Sequence, residues 1–257
     1  MNEWGFDESD WWEEVISAAS RWWKNAHGIG SATIVGFMEA PNGDLLIPSE
    51  VDGYPVTGIR NWLYTCPCGG EPTFTKNPAL TSVTIPDNIT SIGYGAFMEC
   101  ANLTDVTIPD SVTHIGEYAF WRSGITGMSI PASVNSIDDN PFVGCPLARF
   151  DVSPDNPIYV QIDGVLFDKR QKMLVSYPSA REGPYAIPEG VTSIGDKAFY
   201  ECGYLTSVTI PASVTDIGYA AFAAWYADKP DVVLSVQAGS YAEKYAKEEH
   251  IAYVYSE

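Results

Sequence analysis

The sequence has no long hydrophobic run. No stretch approaches the roughly 18 apolar residues that a membrane-spanning helix requires, and the N-terminal segment lacks the basic start and short apolar core of a signal peptide. We therefore predict no membrane span. If the protein is exported to the cell surface or beyond, we expect its signal peptide to have been removed from this chain.

Basic residues are also scarce. The chain has 14 Lys and Arg residues against 33 Asp and Glu residues, which gives a formal net charge of −19. A surface with this charge repels phosphate backbones and anionic lipid headgroups. We therefore expect neither nucleic acid nor an acidic membrane as a partner.

The sequence shows no recognisable catalytic motif. A Gly-rich phosphate loop, a nucleophile elbow and a helical pair of zinc-binding histidines are all absent. The three histidines, His27, His114 and His250, are far apart and lack the partners of a metal site or a catalytic triad. We therefore predict that the protein is not an enzyme and has no cofactor.

Five cysteines are an odd number, and they fall into two groups. Cys100, Cys145 and Cys202 recur at one position of a repeat, which indicates packing rather than a disulfide framework. Cys66 and Cys68 flank one proline and resemble half a zinc knuckle, but no second pair exists. An ordinary loop is favoured there, a metal or redox site is the alternative, and the disulfide state stays open.

Acidic residues near the middle of the chain offer oxygen atoms that calcium prefers. Asp138, Asp139 and Asn140 are adjacent, and Asp151 and Asp155 follow downstream. Because other repeats carry Gly and polar residues at the first of these positions, a solvated turn is the favoured interpretation, and we predict no metal site.

The dipeptide Ile-Pro recurs at regular intervals. Ile85 and Ile108 are 23 residues apart, Ile130 follows after 22, and Ile187 and Ile210 are again 23 apart. This period lies within the range of roughly 20 to 29 residues that is typical of leucine-rich repeats. Longer periods, as in helical repeats and propellers, are excluded.

Each repeat contains an apolar alternation, such as Val106 with Ile108, followed by a second apolar pair, such as Val112 with Ile115, and we interpret each as a short strand. Proline after the first strand ends pairing. After the second strand, where a turn is easiest without a side chain, four repeats carry glycine: Gly93, Gly116, Gly195 and Gly218. The Ala-Phe pair that follows is expected in a helical turn. Its rings would then stack in one column: Phe97, Phe120, Phe142, Phe199 and Phe222.

The predicted fold is an α/β solenoid, mostly β, with repeats of about 23 residues and two short parallel strands per turn. We expect a Trp-rich amphipathic capping helix within residues 1–29 and the solenoid over 30–257, with a C-terminal cap at 231–257. A hairpin insertion is predicted at 150–178, because Asp163-Gly164 between apolar runs is a strong hairpin signal. Ser240 precedes a predicted short helix, and a final strand is expected at 251–255.

The repeat frame Ile-Pro-x-x-Val-Thr-x-Ile-Gly-x-x-Ala-Phe-x-x-Cys-x-x-Leu-Thr resembles the BspA-type leucine-rich repeats of bacterial surface proteins, over residues 30 to 255. The resemblance implies a non-enzymatic and usually exported protein of gut or oral bacteria or mucosal parasites. It also implies adhesion to host proteins or to other microbes. The Trp-rich N-terminal segment departs from the family pattern, and the family supplies no ligand-contact motif.

The outward strand positions form two predicted rows of small polar side chains, which suit extended partners. The first row is Thr84, Thr107, Ser129, Asp151 and Thr209, and the second is Thr90, Thr113, Asn135, Thr192 and Thr215. We expect these rows to bind a protein or glycan of a host or neighbouring microbe, unless they are merely soluble β faces. The alternative function is a structural spacer or a surface component that self-associates through the N-terminal helix.

Overall fold

The computed structural model describes residues 13–17, 20–26, 31–37, 42–51, 53–59, 71–72, 74–223 and 232–256. In this part of the chain the structure is mostly β, with one helix. The chain forms two compact units. The first is Met1–Gly124 with Ser136–Pro141, and the second is Ile125–Asn135 with Phe142–Glu257.

The strands are short, as the alternation in each repeat predicts. The earlier ones are β1 (Glu13–Ser17), β2 (Ser20–Ala26), β3 (Ala32–Phe37), β4 (Gly43–Leu46), β5 (Glu50–Val51), β6 (Tyr54–Ile59), β7 (Glu71–Pro72), β8 (Leu80–Thr84), β9 (Ser91–Ile92), β10 (Asp105–Thr107) and β11 (His114–Ile115). The later elements are β12 (Gly127–Ile130), β13 (Ser136–Ile137), β14 (Arg149–Val152), β15 (Tyr159–Ile162), β16 (Val165–Asp168), β17 (Met173–Ser176), β18 (Gly183–Ala186), β19 (Ser193–Ile194), β20 (Leu205–Thr209), β21 (Asp216–Ile217), β22 (Val233–Val236), α1 (Tyr241–Glu248) and β23 (Tyr253–Tyr255).

In the first unit, the two strands of each repeat form two separate parallel stacks. The strands that lead into the Ile-Pro dipeptides pair in the order β10-β8-β4. The second strands pair in the order β6-β9-β11-β13, and each contributes only two paired residues at most steps. The prediction of two short parallel strands per repeat is confirmed. We call these the first-strand stack and the second-strand stack, and we use the same names for the sheets that the corresponding strands form in the second unit.

The predicted N-terminal capping helix is wrong over residues 13–26. Strands β1 and β2 pair in antiparallel fashion, β2 pairs with β3, and β3 joins β6 in parallel. Trp, Val and Ile favour strands, and the edge of β6 offers backbone partners to an adjacent chain segment. This segment therefore forms strands, although the spacing of its apolar residues also fits a helix. Asp10, Trp11 and Trp12, which belonged to the predicted helix, lie outside the described residues.

In the second unit, β12 pairs with β14, and β18-β20-β22-β23 forms a parallel sheet of first strands. A further sheet has the order β15-β16-β17-β19-β21. Within it, β15 and β16 form an antiparallel hairpin whose turn residues, Asp163 and Gly164, have φ values of +52° and +74°. Two successive positive φ angles are typical of the type I′ turn that Asp-Gly favours. Strand β17 then pairs in parallel with β19 and returns the chain to the repeat.

The helix α1 and the strand β23 confirm the elements predicted near the C-terminus. The Ser240 hydroxyl caps α1 by accepting a hydrogen bond from Glu243 N at 3.2 Å. The buried Glu243 carboxylate accepts hydrogen bonds from Lys247 Nζ at 2.5 Å, Gly239 N at 2.6 Å and Tyr255 OH at 2.8 Å. These donors, Lys247 first, lower the pKa of Glu243 to about 2. One carboxylate thus ties β23 to α1.

Phenylalanine rings stack within each unit. The ring centroids of Phe74 and Phe97 are 5.2 Å apart and those of Phe97 and Phe120 are 5.6 Å apart, with nearly parallel planes. In the second unit Phe199 stacks on Phe222 at 4.7 Å. Phe142 packs edge to face against Phe150 at 5.2 Å. The stacked rings belong to the core, as the repeat predicts.

The segment that carries each Ala-Phe pair is a series of hydrogen-bonded turns and not the expected helical turn. The residue before the pair adopts a left-handed conformation in several repeats, with φ of +57° at Tyr118, +55° at Lys197 and +52° at Ala220. Residues that carry a Cβ atom rarely adopt this backbone conformation, whereas glycine adopts it at lower cost. The repeat geometry therefore imposes the same backbone on very different side chains.

The glycine after the second strand has a different physical role from the predicted one. Neither Gly116 nor Gly218 has a positive φ. A Cβ atom at Gly116 would lie 2.7 Å from the backbone N of Tyr94, and one at Gly218 would lie 2.5 Å from the backbone N of Asp196. Glycine is required there because the neighbouring repeat approaches too closely for any side chain.

Candidate binding surface

The first predicted row lies on the strands of the first-strand stacks, and all five of its residues are exposed. Thr84 and Thr107 are direct neighbours on β8 and β10. Ser129 and Asp151 are neighbours on β12 and β14, and Thr209 lies on β20. The residues therefore occupy three separate sheets, β10-β8-β4, β12-β14 and β18-β20-β22-β23.

The hydroxyls of Thr84 and Thr107 make no hydrogen bond with the described part of the chain, so they can bond to a partner. Asp151 differs, because its carboxylate accepts a hydrogen bond from Arg149 Nε at 3.1 Å. The row is thus chemically uneven. Its β8 and β10 members keep their full hydrogen-bonding capacity for another molecule.

The second predicted row lies just before the second strands and includes Thr90, Thr113, Asn135, Thr192 and Thr215. All are exposed except Thr192, which is half-buried. The Thr90 hydroxyl donates to Thr57 O at 3.0 Å, and the Thr113 hydroxyl donates to Thr90 O at 3.1 Å. Thr192 likewise donates to Gln171 O at 3.3 Å. These hydroxyls join adjacent strands of the stack and are less available to a partner.

A depression of about 570 Å³ covers the outer face of β8 and β10 and the turns that follow them. Thr84 and Thr107 line it, together with Ser82 and three carboxylates from Asp87, Asp105 and Asp110. No Lys, Arg or His is among the lining residues. The depression therefore combines hydrogen-bonding hydroxyls with negative charge.

Next to the depression, the Asp44 carboxylate on β4 accepts hydrogen bonds from Ser82 Oγ at 2.7 Å and Thr81 Oγ1 at 3.1 Å. These two hydroxyls, Ser82 first, hold the pKa of Asp44 below its usual value. Asp44 therefore stays ionised and extends the acidic face to β4.

The carboxylates of the depression were not among the predicted surface residues. Asp87 and Asp110 follow the Ile-Pro dipeptides of two successive repeats, whereas the next repeat carries Ala132 at this position. The repetition of Ile-Pro-Asp was the available signal. It was missed because the alternation of residues identifies only outward positions within strands, and these aspartates lie in turns.

The other candidate residues that the structure describes do not come together in one cluster. His114 Nε2 lies 3.4 Å from Asp138 Oδ2, with His114 half-buried and Asp138 exposed, and His250 is exposed. Among the residues described, no three His, Cys, Asp or Glu side chains converge as metal ligands would. His27, Cys66 and Cys68 lie outside the described ranges.

The recurring cysteines are packing residues, as predicted. Cys100 and Cys145 are buried and Cys202 is half-buried, and none of the three forms a disulfide. The Cys100 thiol donates to Phe74 O, with Sγ 2.7 Å away, and burial raises the pKa of this thiol to about 12. Burial also raises the pKa of Cys202. Both thiols therefore stay protonated and unreactive.

The described residues contain no helix with the length and apolarity that a membrane crossing demands. A comparison with curated proteins gives no match.

Solved structures of bacterial leucine-rich-repeat proteins are similar to this chain. A leucine-rich cell surface protein from Faecalibacterium prausnitzii is 28% identical, with a TM-score of 0.52 over 83% of this chain and 74% of that one. A leucine-rich-repeat protein from Eubacterium ventriosum shares the fold at 24% identity, with a TM-score of 0.55 over 88% and 66%. The pneumococcal vaccine antigen PcpA also shares the fold, at 18% identity and a TM-score of 0.53 over 82% and 67%.

The model of the BspA-type leucine-rich-repeat region matches six copies, over residues 70–161 and 184–232. These ranges span more than half of the chain and contain the Ile-Pro repeats, the buried cysteines and the left-handed turn residues described above. The chain belongs to the family of proteins with BspA-type leucine-rich repeats.

Proposed function

We propose that this protein is a non-catalytic module of the cell surface that binds an extended segment of an extracellular protein or glycan. The observation that carries the proposal is the depression on β8 and β10, where unbonded threonine hydroxyls lie beside carboxylates. The 28% identical relative is described as a cell surface protein, which supports the same location for this chain.

The spacing of the strands favours an extended partner. Thr84 and Thr107 are in direct register on adjacent parallel strands, and such strands lie about 4.8 Å apart. A partner that crosses the strands meets one hydroxyl at each step. Asp87 and Asp110 repeat with the same period in the turns that follow, so a donor on the partner has a carboxylate acceptor in each repeat.

Binding of the purified chain to an array of extracellular-matrix proteins and glycans tests the proposal, at physiological and at high salt. We expect a saturable hit that Thr107→Arg weakens at least tenfold, because the larger side chain fills the depression. Thr209→Arg is the matched control, since Thr209 is also exposed at the end of a first strand but lies outside the depression.

Equal loss of binding in both variants would contradict the assigned surface. A correctly folded chain that binds nothing on the array, and that forms larger species in light scattering, would instead support the alternative of a self-associating surface component. A chain that binds nothing and stays monomeric would favour a passive spacer.

A further inference from the structure

The second unit contains two buried tyrosine hydroxyls that have no hydrogen-bond partner within the described chain. Tyr177 follows β17 and is 3% exposed, and Tyr185 lies on β18 and is 7% exposed. Both Oη atoms are fully buried and unpaired. Burying an unpaired hydroxyl is unfavourable, and folded proteins pair most such groups with protein atoms or with ordered water.

The two rings share one apolar environment. Their centroids are 5.0 Å apart, and they lie 5.1 Å and 6.3 Å from the ring of Phe199. These aromatic carbons offer no hydrogen-bond acceptor comparable to an oxygen. The partner of the two hydroxyls must therefore come from outside this aromatic cluster.

The guanidinium of Arg181 lies over both tyrosine rings. Its guanidinium carbon is 5.6 Å from the Tyr177 ring centroid and 5.7 Å from that of Tyr185, and its side chain is 26% exposed. Arg181 Nη2 donates to Asp163 Oδ2 at 2.7 Å, and Nη1 donates to the Asp163 carbonyl. Because Asp163 lies at the tip of the β15–β16 hairpin, these hydrogen bonds link Arg181 to the hairpin.

The charges around the cluster favour a neutral ligand. Burial raises the pKa of both Tyr177 and Tyr185, so both phenols are protonated and can donate a hydrogen bond. Asp163 already balances the charge of Arg181. A bound anion would have no countercharge of its own in an apolar environment, which is costly.

We propose that Tyr177 and Tyr185 form a buried hydration site, in which one ordered water molecule hydrogen-bonds to both Oη atoms beneath the Arg181–Asp163 pair. Buried waters make about two to four hydrogen bonds to polar groups that lack other partners, and they contribute to the stability of the fold. The water joins the end of the hairpin insertion to the first strand of the following repeat.

The first test measures stability after removal of each hydroxyl. Tyr177→Phe and Tyr185→Phe should each lower the folding equilibrium constant about two- to tenfold. The double variant should lose less than the product of the two, because both hydroxyls bind the same water. Tyr204→Phe is the control and should change nothing, since Tyr204 is 63% exposed. Unchanged or increased stability in Tyr177→Phe or Tyr185→Phe would overturn the proposal.

The second test detects the ligand directly. A crystal structure should show one solvent oxygen within hydrogen-bond distance of both Oη atoms, and no such peak would overturn the site. Stability is then compared in chloride buffer and in chloride-free sulfate buffer of equal ionic strength. The change of buffer should alter the stability of the parent chain and of the double Phe variant by the same small factor. A chloride dependence confined to the parent chain would identify a bound anion and would also overturn the assignment to water.

Discussion

The two strand stacks carry threonine at corresponding outward positions, but they use its hydroxyl differently. On the first-strand stack, Thr84 and Thr107 keep their hydroxyls free of bonds to the described chain. On the second-strand stack, Thr90 and Thr113 donate to backbone carbonyls of the strand before. At these positions the threonine hydroxyl is therefore left available on one face, whereas on the other face it joins neighbouring repeats.

The length of the strands explains the difference. The strands β9 and β11 are only two residues long, so their backbones supply few hydrogen bonds between repeats. The threonine hydroxyls add hydrogen bonds between these repeats, and the neighbouring repeat packs closely against the glycine that follows each strand. The strands β8 and β20 have five residues each and form longer backbone ladders.

Glycine substitutions should give the largest difference in stability between the two kinds of stack. We expect Gly218→Ala, just after β21, to lower the free energy of unfolding by about 3 kcal/mol, because the new Cβ overlaps the backbone of the neighbouring repeat. Gly127→Ala, on β12, should change it by at most about 0.5 kcal/mol, since nothing lies within 4 Å of the added atom. Urea denaturation measures both, and similar losses would show that the close approach is not specific to the second strands.

Removing hydroxyls should give the next largest contrast. A triple variant with Thr90→Val, Thr113→Val and Thr192→Val should lose about 1.5 kcal/mol of unfolding free energy in total, since three donors are removed. The matched variant on the other face should keep its stability and lose partner binding, and it combines Thr84→Val, Thr107→Val and Thr209→Val. Equal stability of the two triple variants would contradict the division of roles.

The turn after the second strand offers a smaller and stabilising change. Ala220 has a φ of +52°, so we expect Ala220→Gly to raise the free energy of unfolding by up to about 1 kcal/mol as the left-handed strain is relieved. Ala221→Gly, at the next and fully buried position, should lower it by about 1 kcal/mol. Thermal denaturation of the pair tests this, and a loss in both variants would show that the strain is negligible.

The smallest effect concerns pH on the first-strand stack. The pKa of Asp44 is held below its usual 3.8, mainly by Ser82 and then by Thr81. A depressed folded-state pKa means that the Asp44 contribution to stability is present above pH 3.8 and is lost as pH falls through the folded value. Carbon NMR titration should give a midpoint below 3.8 that Ser82→Ala shifts upward more than Thr81→Ala does. A midpoint that stays unchanged in both variants would contradict the hydrogen bonds from Ser82 and Thr81 to Asp44.

Local signals predicted most of the fold. The Ile-Pro period, the alternation around Val106 and Val112, the Asp163-Gly164 turn and the Ser240 cap each depend on neighbours in sequence, and each corresponds to an observed element. The N-terminal segment was assigned wrongly because its apolar residues fit a helix and a strand alike, and only pairing with β3 decides between them.

The candidate site was predictable only in part. Outward threonines follow from strand alternation, so Thr84 and Thr107 were found from sequence. The carboxylates of Asp87 and Asp110 lie in turns, where no period fixes the direction of a side chain, and they were missed. The unpaired hydroxyls of Tyr177 and Tyr185 had no sequence signal, because the burial of a single hydroxyl depends on tertiary packing.

The sequence by itself determined the family, the period, the two strands per repeat and the inward residues, since each follows from spacing along the chain. Only the tertiary structure decided which hydroxyls are free, why Gly116 and Gly218 tolerate no side chain, and where carboxylates meet in one depression. These properties depend on contacts between successive repeats. Atoms about 23 residues apart in sequence approach within a few ångströms there, and no local pattern encodes that distance.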